Sequence, residues 1–408
     1  MSQLFNFPRL ARSVWILAGG RLLSDIGTGF TLFYAPIFFV NQVGLSATAV
    51  GFALGSGSLS GVFGRFFGGQ WADSPKWGRR KTLLLSAFIS ALADVVLVFT
   101  DNFSTLVIGN LLMGLGVGLY WPATEAAIID LTTREQRNEA FAITRLADSL
   151  GLSLGVILGG VLIANNINYR LLFLLDGISF TIFFLIIYLA IAETYNFKHQ
   201  KESHNNGWFL ALKDRRLIVY LVVNILFTTY LSQIQTTLPL YFKNFVSIGA
   251  ERGFSEKVIS GLFTWHIALA AVVQLPVARS LNYLSRIQAL TISLIFWGIG
   301  FLLIWVTGVT TYPLVWAILA LGIMSLAMVS YTPSASAFIA DIAPESLRGI
   351  YLSLNSQCWA IGYFIGPSLG GYALDNSVGF VRIYWLICTG SIVVGVVILQ
   401  YLKKIHNS

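Results

Sequence analysis

Two charged residues near the start of the sequence lie four positions apart within a long apolar stretch. On a helix, Arg21 and Asp25 would share one face, a favourable spacing for a local ion pair. One interpretation is a structural pair in which the two charges neutralise each other. The other is that Asp25 binds and releases a proton, since a neighbouring guanidinium controls how readily a carboxylate is protonated. Both residues are therefore candidates for proton coupling.

A second group of charges lies on either side of a short polar segment. Glu125 precedes this segment and Arg145 follows it at nearly equal distance, so two helices joined there would hold them at similar depth as an ion pair. Asp148 lies about one helical turn beyond Arg145 and could compete for its guanidinium, which would make a switchable triad. Pairing alone also explains the three residues. We include them as candidates for proton coupling and expect a mainly structural role.

Neutral polar and aromatic side chains provide candidates for a binding cavity. Aromatic walls with scattered amides and an acid suit an amphipathic or cationic solute better than a sugar phosphate. His266 could titrate near neutral pH, although a lone histidine in an apolar segment also serves as a hydrogen-bonded packing residue. The candidate cavity residues are Phe30, Tyr34, Tyr120, Trp121, Gln233, Gln235, His266, Tyr331, Asn355, Gln357 and Trp359.

The composition indicates the environment that must position these residues. Of 408 residues, 56% are hydrophobic and only 11% are charged, whereas soluble domains carry about a quarter charged residues. Apolar runs such as 81–100, 171–192 and 383–402 approach the ~20 residues that cross a bilayer as a helix. None shows the alternation of a membrane β-barrel strand. The sequence therefore predicts an all-α integral membrane protein.

Apolar runs and polar breaks predict twelve transmembrane helices. With the N-terminus in the cytoplasm, eighteen of the 26 Lys and Arg residues fall on the cytoplasmic side and five on the outer side. The net charge of +8 thus indicates orientation in the plasma (inner) membrane, with both termini cytoplasmic, and not nucleic-acid binding. The predicted spans are 12–40, 46–72, 81–100, 104–129, 140–164, 169–192, 216–242, 255–280, 288–307, 312–340, 349–374 and 379–402.

The longest polar stretch divides the spans into two groups of six. We predict an N-terminal six-helix bundle at 1–192, a cytoplasmic linker at 193–215 with a short surface helix near 208–212, and a C-terminal six-helix bundle at 216–408. A shift of 211 residues aligns spans 4 and 5 with spans 10 and 11, so the two bundles are predicted to be pseudo-symmetric copies in the same orientation. The aligned residues include Tyr120 with Tyr331, Pro122 with Pro333, Asp130 with Asp341 and Arg137 with Arg348.

Glycines repeat every four residues in spans 5 and 11. Such small-residue stripes let helices approach closely. One interpretation is ordinary packing, and the functional hypothesis is that these spans form the contact between the two bundles. The candidate contact residues are Gly151, Gly155, Gly159, Gly362, Gly366, Pro367 and Gly370.

The segment after the second span resembles a signature of the major facilitator superfamily, in its twelve-span drug–proton antiporter branch. Gly69, Asp73, Gly78, Arg79 and Arg80 match the family's cytoplasmic motif, with two extra residues between Asp73 and Gly78. The resemblance implies a gate at the cytoplasmic side, where Asp73 would pair with guanidinium groups and latch one conformation.

The resemblance also affects the interpretation of the membrane charges. It implies that the first span lines a central cavity, which favours Asp25 as a protonation site. Residues 362–371 resemble the family's antiporter motif, which normally lies in span 5, where this chain has Val156 in place of the expected proline. Asn110 stands near the position of an arginine that is usual in drug–proton antiporters. These two departures leave coupling open.

Three functions follow from these observations. The leading hypothesis is proton-coupled efflux of hydrophobic or amphipathic small molecules by alternating access. The alternative is an uncoupled facilitator or exporter of one defined metabolite or lipid, and a third is a non-transporting membrane receptor. The sequence has no ATP-binding phosphate loop and no catalytic or metal-ligand cluster. We therefore expect no enzyme activity, no metal and no cofactor, a proton gradient as energy source, and a monomer in the lipid bilayer.

Overall fold

The computed structural model describes residues 10–133, 136–194, 207–248, 251–281, 283–344 and 347–407. Throughout these ranges the chain is helical, apart from short connections and one small hairpin. That hairpin pairs β1 (Ser247–Ile248) with β2 (Glu251–Arg252) in antiparallel register. The predicted all-α class is confirmed.

Within the described ranges, seven helices lie in the first half of the chain and eight in the second. The first seven are α1 (Arg12–Leu32), α2 (Ala35–Asn41), α3 (Ala47–Ala72), α4 (Gly78–Val98), α5 (Phe103–Asp130), α6 (Arg137–Ala164) and α7 (Tyr169–Ala190). The others are α8 (Gly207–Lys213), α9 (Arg215–Gln235), α10 (Thr237–Asn244), α11 (Glu256–Leu281), α12 (Arg286–Thr307), α13 (Pro313–Ile342), α14 (Arg348–Leu374) and α15 (Val378–Asn407).

Most of these helices are long and apolar enough to cross a membrane. Eleven segments of the described chain meet both requirements, and the first joins α1 and α2 into one stretch, Arg12–Asn41. The predicted eleventh span, α14, is not among them although it has 27 residues. Its first half carries Asn355, Ser356 and Gln357, which lower its hydropathy. The short helix α8 lies where a surface helix was predicted.

The first predicted span of each half is broken into two helices. Helix α1 ends at Leu32, four residues before Pro36, and α9 ends at Gln235, four residues before Pro239. A proline lacks an N–H and its ring clashes with the carbonyl four residues earlier, so each break lies where that clash would occur. The predicted single helices 12–40 and 216–242 are thus corrected by a signal present in the sequence.

Contacts divide the chain into two compact units. The first unit comprises Met1–Tyr34 and Ser56–Lys201, and the second comprises Ala35–Gly55 and Glu202–Ser408. Helix α2 and the first part of α3 therefore belong with the second half of the chain. The predicted domain limits (1–192, 193–215 and 216–408) remain a prediction.

Within the second unit, a carboxylate holds the beginning of α3. The backbone amides of Ala47 and Thr48 donate to the two carboxylate oxygens of Asp375, at 2.8 and 2.7 Å. These amides lack partners inside their own helix, and a negative charge complements the positive end of the helix dipole. Beside this contact, the Gly51 backbone approaches the carbonyl of Pro367 so closely that a Cβ would lie 2.0 Å from its oxygen.

The predicted glycine contacts lie inside each unit. In the first unit, Gly151, Gly155 and Gly159 of α6 all face α1. In the second unit, Gly362 and Gly366 of α14 face α9, and Gly370 faces Thr237 at the start of α10. For these six glycines, the close approach joins helices of one unit. Pro367, the remaining predicted contact residue, packs on Gly51, which lies within the predicted N-terminal bundle. The role of spans 5 and 11 as the contact between bundles therefore stays a prediction. Small residues serve both purposes, and their spacing alone does not reveal which helix they face.

Candidate functional site

A cavity of about 360 Å³ lies within the first unit, among α1, α4, α5, α6 and α7. Its polar lining comes mainly from Asp25, Arg145 and Asp148 together with serine and threonine hydroxyls. Tyr120, Trp121, Phe180 and Phe183 supply aromatic surface. We call this cavity the charged pocket. It brings together five of the sequence-predicted site residues: Asp25, Tyr120, Trp121, Arg145 and Asp148.

Arg21 lies behind the lining of the charged pocket, bonded to the lining residue Asp148, and is only 2% exposed. Its Nε donates to Asp148 Oδ1 at 2.7 Å, and its terminal nitrogen donates to the other oxygen of the same carboxylate. The guanidinium carbon lies 5.5 Å from the Tyr120 ring centre and 5.3 Å from that of Trp121. The expected local pair with Asp25 is therefore corrected, since the two-pronged bond of Arg21 reaches across to α6.

The carboxyl groups of Asp25 and Asp148 lie next to each other. They are within hydrogen-bonding reach, and Arg21 is close enough to interact electrostatically with both. If both acids are ionised, Arg21 balances only one of the two negative charges, because Arg145 pairs with Glu125 instead. Like charges at such short range repel strongly. A proton or a cation would neutralise the excess negative charge. The arrangement can therefore exchange one positive charge for another.

The expected pair of Glu125 and Arg145 is present, but it is loose. The closest nitrogen of Arg145 and oxygen of Glu125 are 3.9 Å apart. The Glu125 side chain is 49% exposed and the Arg145 side chain is 65% exposed. Arg145 also lies over the Trp121 ring, 5.4 Å from its centre. The hypothesis that Asp148 competes for Arg145 is corrected, because Asp148 binds Arg21 instead. Arg145 remains an exposed and weakly paired positive charge in the lining of the pocket.

Two predicted cavity residues lie outside the charged pocket. Phe30 and Tyr34 are buried where the end of α1 packs on α6, close to Gly159. The Tyr34 hydroxyl donates to the carbonyl of Val156 at 3.1 Å. Their rings hold two helices together and are not part of the pocket wall.

The second unit contains a neutral network at the corresponding place. The Tyr331 hydroxyl donates to Asn224 Oδ1 at 2.6 Å, and Asn224 Nδ2 donates to Asn355 Oδ1 at 2.9 Å. A shift of 203 residues aligns the two broken spans at Pro36 and Pro239, and it places Asn224 opposite Arg21 and Thr228 opposite Asp25. The duplicated fold therefore carries charge in its first copy and amides in its second.

The other candidates in the second unit are dispersed. Gln233 donates to the Gly366 carbonyl at 3.0 Å, and Gln235 hydrogen-bonds with Tyr363, which stacks on Trp359. His266 is 4% exposed, with Nδ1 2.7 Å from Ser325 Oγ and 3.1 Å from the Leu321 carbonyl. Gln357 is partly exposed on α14. These side chains mostly join helices, and His266 matches the packing interpretation.

The predicted gate motif forms a charge cluster at one end of the first unit. Arg79 donates to Asp73 at 2.6 Å and to Asp130 at 3.1 Å, and it also binds the Ala72 carbonyl. Gly69 lies in the last turn of α3, which ends at Ala72, directly before Asp73. Gly78 has a φ of +79°, a conformation that glycine adopts without strain.

Glu193, which the sequence analysis did not single out, completes this cluster. Its carboxylate accepts from the backbone amides of Arg79 at 2.9 Å and Arg80 at 3.2 Å. Arg80 in turn donates to the carbonyl of Tyr188 at 2.6 Å. The signal that could have identified Glu193 is an acid directly after a span, opposite the beginning of another helix.

The second unit repeats part of this cluster and provides a matched comparison. Arg286 approaches Asp341 at 3.4 Å, and these side chains are 42% and 55% exposed, whereas Arg79 is 12% exposed. We expect Arg79→Gln to lower the free energy of unfolding by about 1.5–2 kcal/mol, because it removes charged hydrogen bonds from a shielded site. Arg286→Gln should cost less than ~0.5 kcal/mol, as is usual for exposed ion pairs.

Denaturant unfolding of the two purified variants in detergent checks this difference. Equal losses for Arg79→Gln and Arg286→Gln would contradict it. They would mean that solvent screens the first cluster as effectively as the second.

Comparison with known proteins identifies the family. The model of the Major Facilitator Superfamily matches residues 17–247 and 244–406, which is nearly the whole chain. The protein belongs to the Major Facilitator Superfamily. The fold class is thereby confirmed as that of two pseudo-symmetric six-helix bundles. As a member, the chain is a multi-pass membrane transporter for small molecules and not an enzyme.

Named relatives of this superfamily member are distant but full-length. Multidrug resistance protein 2 of Bacillus subtilis (strain 168) is 25% identical over 377 residues, covering 90% of this chain and 89% of the relative. A Na(+), Li(+), K(+)/H(+) antiporter of Planococcus maritimus is 23% identical and covers 87% and 88%. The solved nucleoside transporter NupG superposes with a TM-score of 0.80 at 15% identity, covering 97% of this chain and 100% of NupG. NupG supports the fold alone.

Proposed function

We propose that this transporter exports hydrophobic and amphipathic compounds, cations in particular, in exchange for protons. One observation carries the proposal, namely the adjacent carboxyl groups of Asp25 and Asp148 in a pocket with aromatic walls. Arg21 neutralises one carboxylate, so the other needs a proton or a substrate cation. Because a proton and a substrate cation compete for the same carboxylate, binding of one favours release of the other.

The pocket walls suit such substrates. Aromatic faces attract organic cations, and apolar groups gain free energy on leaving water. Tyr120 and Trp121 already hold the guanidinium of Arg21 in this way. Arg145 is exposed and weakly paired, so it can move away from an incoming cation or bind an anionic group of a zwitterion.

The names of two relatives agree with exchange and efflux. One is a multidrug resistance protein and the other exchanges monovalent cations for protons. Each aligns with nearly the whole of this chain, including both halves. Their low identity supports the general class of transport, and the pocket supplies the argument for the substrate type.

The proton gradient is the proposed energy source. Moving one charge through 100 mV supplies ~2.3 kcal/mol, which sustains a concentration ratio of roughly fiftyfold. Alternating access would expose the pocket to each side in turn, with the Arg79 cluster as the cytoplasmic gate. The bias of Lys and Arg supports cytoplasmic termini in the plasma (inner) membrane. The charged pocket lies within one chain, which supports a monomer.

Replacing Asp25 with asparagine tests the proposal. In proteoliposomes that contain a pH-sensitive dye, we expect wild-type protein to move protons when tetraphenylphosphonium or ethidium is added. Asp25→Asn should reduce this proton movement at least ~tenfold, because the remaining acid is already neutralised by Arg21. Glu139→Gln, an exposed substitution in the first turn of α6, is the matched control and should behave like wild type.

Other outcomes separate the alternatives. Solute flux without proton movement, unchanged in Asp25→Asn, would leave an uncoupled facilitator or exporter of one metabolite or lipid. The neutral network of the second unit and Asn110 on α5 are the features that favour this alternative. No flux of any solute would favour a non-transporting receptor.

A further inference from the structure

A second pair of acids is buried in the first unit, away from the charged pocket. Asp94 lies on α4 and Asp176 on α7, and each is only 1% exposed. The two helices pack together here, with the backbone at Gly177 close to Asp94 Cβ. Carboxyl groups on two neighbouring helices therefore face each other inside an apolar contact.

The two acids differ in their hydrogen-bond partners. Asp176 Oδ2 accepts from the Thr31 hydroxyl at 3.2 Å, and the Ser179 hydroxyl also lies beside the Asp176 carboxyl group and interacts with it. Both carboxyl oxygens of Asp94 are buried without a hydrogen-bond partner among the described residues. Two unsatisfied oxygen atoms on one buried side chain require an explanation, because most buried polar atoms are hydrogen-bonded.

Among the residues that the structure describes, no positive charge compensates this pair. Asp176 is the charged group that interacts with Asp94, and within the described chain α5 contributes none there. On the other side, α1 presents Asp25, which is also an acid, together with the Thr31 hydroxyl. Two ionised carboxylates in such a place would each cost several kcal/mol. A proton on Asp94 removes the charge, and with it this cost, from one of the two carboxyl groups.

We propose that Asp94 and Asp176 form a second proton-carrying site, in which Asp94 holds a proton and donates it to Asp176. The ligand is a proton, carried as the carboxylic acid of Asp94 opposite the carboxylate of Asp176. Neither acid belongs to the charged pocket. The site explains why a buried acid on α4 lies opposite a buried acid on α7.

The backbone of α1 connects this site to the charged pocket. At Gly27, a Cβ would lie 2.5 Å from Asp176 Oδ1 and 2.1 Å from Ser179 Oγ, so only glycine lets α7 come this close. Gly27 is two residues from Asp25, and Asp25 interacts electrostatically with Asp176. The three acids Asp94, Asp176 and Asp25 therefore form a sequence that ends in the charged pocket.

The opposite side of the site offers no polar exit. A groove of about 520 Å³ runs between α4 and α7 above Asp94, and its other lining is almost entirely apolar, with exposed side chains such as Phe88 and Val95. In this proposal, a proton leaving Asp94 passes to Asp176 and on towards Asp25. This role as a reservoir for exchange rests on the proposed function, whereas occupancy of the site by a proton does not.

Infrared difference spectroscopy of the purified protein at pH 7 tests the occupancy. Wild-type protein should show a C=O stretching band of a protonated carboxylic acid that shifts in D₂O and is lost in Asp94→Asn. Asp176→Asn should shift the band without abolishing it, because Asp94 keeps its proton and gains a new acceptor. Glu139→Gln is the control and should leave the band unchanged.

Folding of the variants provides a second measurement. An amide resembles a protonated carboxyl group in shape and charge, so Asp94→Asn should elute as a single folded species with an unchanged denaturation midpoint. If the variant does not fold, ¹³C-aspartate labelling of Asp25→Asn protein shows whether a band remains that comes from an aspartic acid other than Asp25. Loss of the band in Asp25→Asn would overturn the inference.

Carboxylate bands in place of the C=O band would overturn the inference, and so would bands that shift with added Na⁺, which indicate a bound cation. Failure of the two proposals can be distinguished. Without the C=O band, proton movement that still depends on Asp25 would leave the proposed function intact. With the C=O band but no substrate-induced proton movement, the buried proton site would remain and proton-coupled export would be wrong.

Discussion

Arg21→Met is expected to lower the free energy of unfolding by about 3–5 kcal/mol, the range for breaking a buried ion pair by removing one partner. The substitution removes the guanidinium that is bonded to Asp148, leaving two adjacent carboxylates with no cation between them. The loss should be largest at high pH, where both acids are ionised. It should shrink as the pH falls, because protons then neutralise the carboxyl groups.

Asp148→Asn is expected to cost less than Arg21→Met, although it breaks the same bond. The buried guanidinium would keep Asp25 as a neighbouring carboxylate, since Asp25 already interacts with it electrostatically. Thermal or denaturant unfolding in detergent at two pH values measures both variants. The three-residue arrangement in which one arginine interacts with two acids predicts this asymmetry.

The matched control is Arg145→Met in the neighbouring pair. That pair is 3.9 Å apart and more than half of the Arg145 side chain is exposed, so the expected cost is below ~1 kcal/mol. Equal costs for Arg21→Met and Arg145→Met would contradict the assignment of Arg21 as the central positive charge. A cost of Arg21→Met that does not depend on pH would contradict the uncompensated acid pair.

Much of the architecture could be predicted from the sequence. Hydropathy and charge located the membrane helices within a few residues, because a bilayer imposes a fixed length on each span. The duplication was visible because loop residues such as Asp130 and Asp341 keep one register, and these two form corresponding pairs with Arg79 and Arg286. The breaks near Pro36 and Pro239 were missed although the prolines indicated them.

The partner of Arg21 could not be predicted from spacing. A local pair with Asp25 needs only one helix, whereas the observed bond depends on how closely α1 approaches α6. Gly151 permits this approach, since a Cβ there would lie 2.4 Å from the Leu22 carbonyl and 2.9 Å from Asp25 Cβ. Asp148 lies one turn before Gly151 and is brought onto Arg21. The spacing of the glycines indicated that another helix packs closely on α6, but it did not indicate that this helix is α1.

The same limit affected the predicted cavity. Gln233 and Asn355 have the residue types of a polar binding site, but both use their amides to join α9 to α14. An amide in a membrane helix must find a partner somewhere, and a neighbouring helix satisfies it as well as a substrate does. By contrast, Asp94 and Asp176 lie far apart in the sequence, within two predicted spans, and only the structure shows that the two acids are close together.

Gly155→Ala is expected to destabilise the first unit by about 3 kcal/mol, at the upper end of the cost of overpacking. A Cβ at Gly155 would lie 2.1 Å from the Ile26 carbonyl oxygen and 2.8 Å from Gly29 Cα. Both neighbours are backbone atoms of α1, so no side chain can rotate away and the two helices must separate. Because Asp25 and Asp148 lie on these helices, proton exchange should be impaired as well.

Gly19→Ala in α1 is the matched control for this substitution. A Cβ at Gly19 meets nothing within 4 Å, so the higher helix propensity of alanine should leave stability unchanged or raise it by up to ~1 kcal/mol. Gly366→Ala in the second unit should fall between the two. Its nearest neighbour is the Ser232 hydroxyl oxygen, at 1.8 Å from the new Cβ, and that hydroxyl can rotate.

Unfolding of the three alanine variants in detergent gives the order directly. The expected order of destabilisation is Gly155→Ala, then Gly366→Ala, then Gly19→Ala. If Gly155→Ala matched Gly19→Ala, the contact between α1 and α6 would be loose enough to absorb a methyl group. Arg21 and Asp148 would then be held together by their charges, and the helix packing would not position the acids that we propose exchange a proton for a substrate.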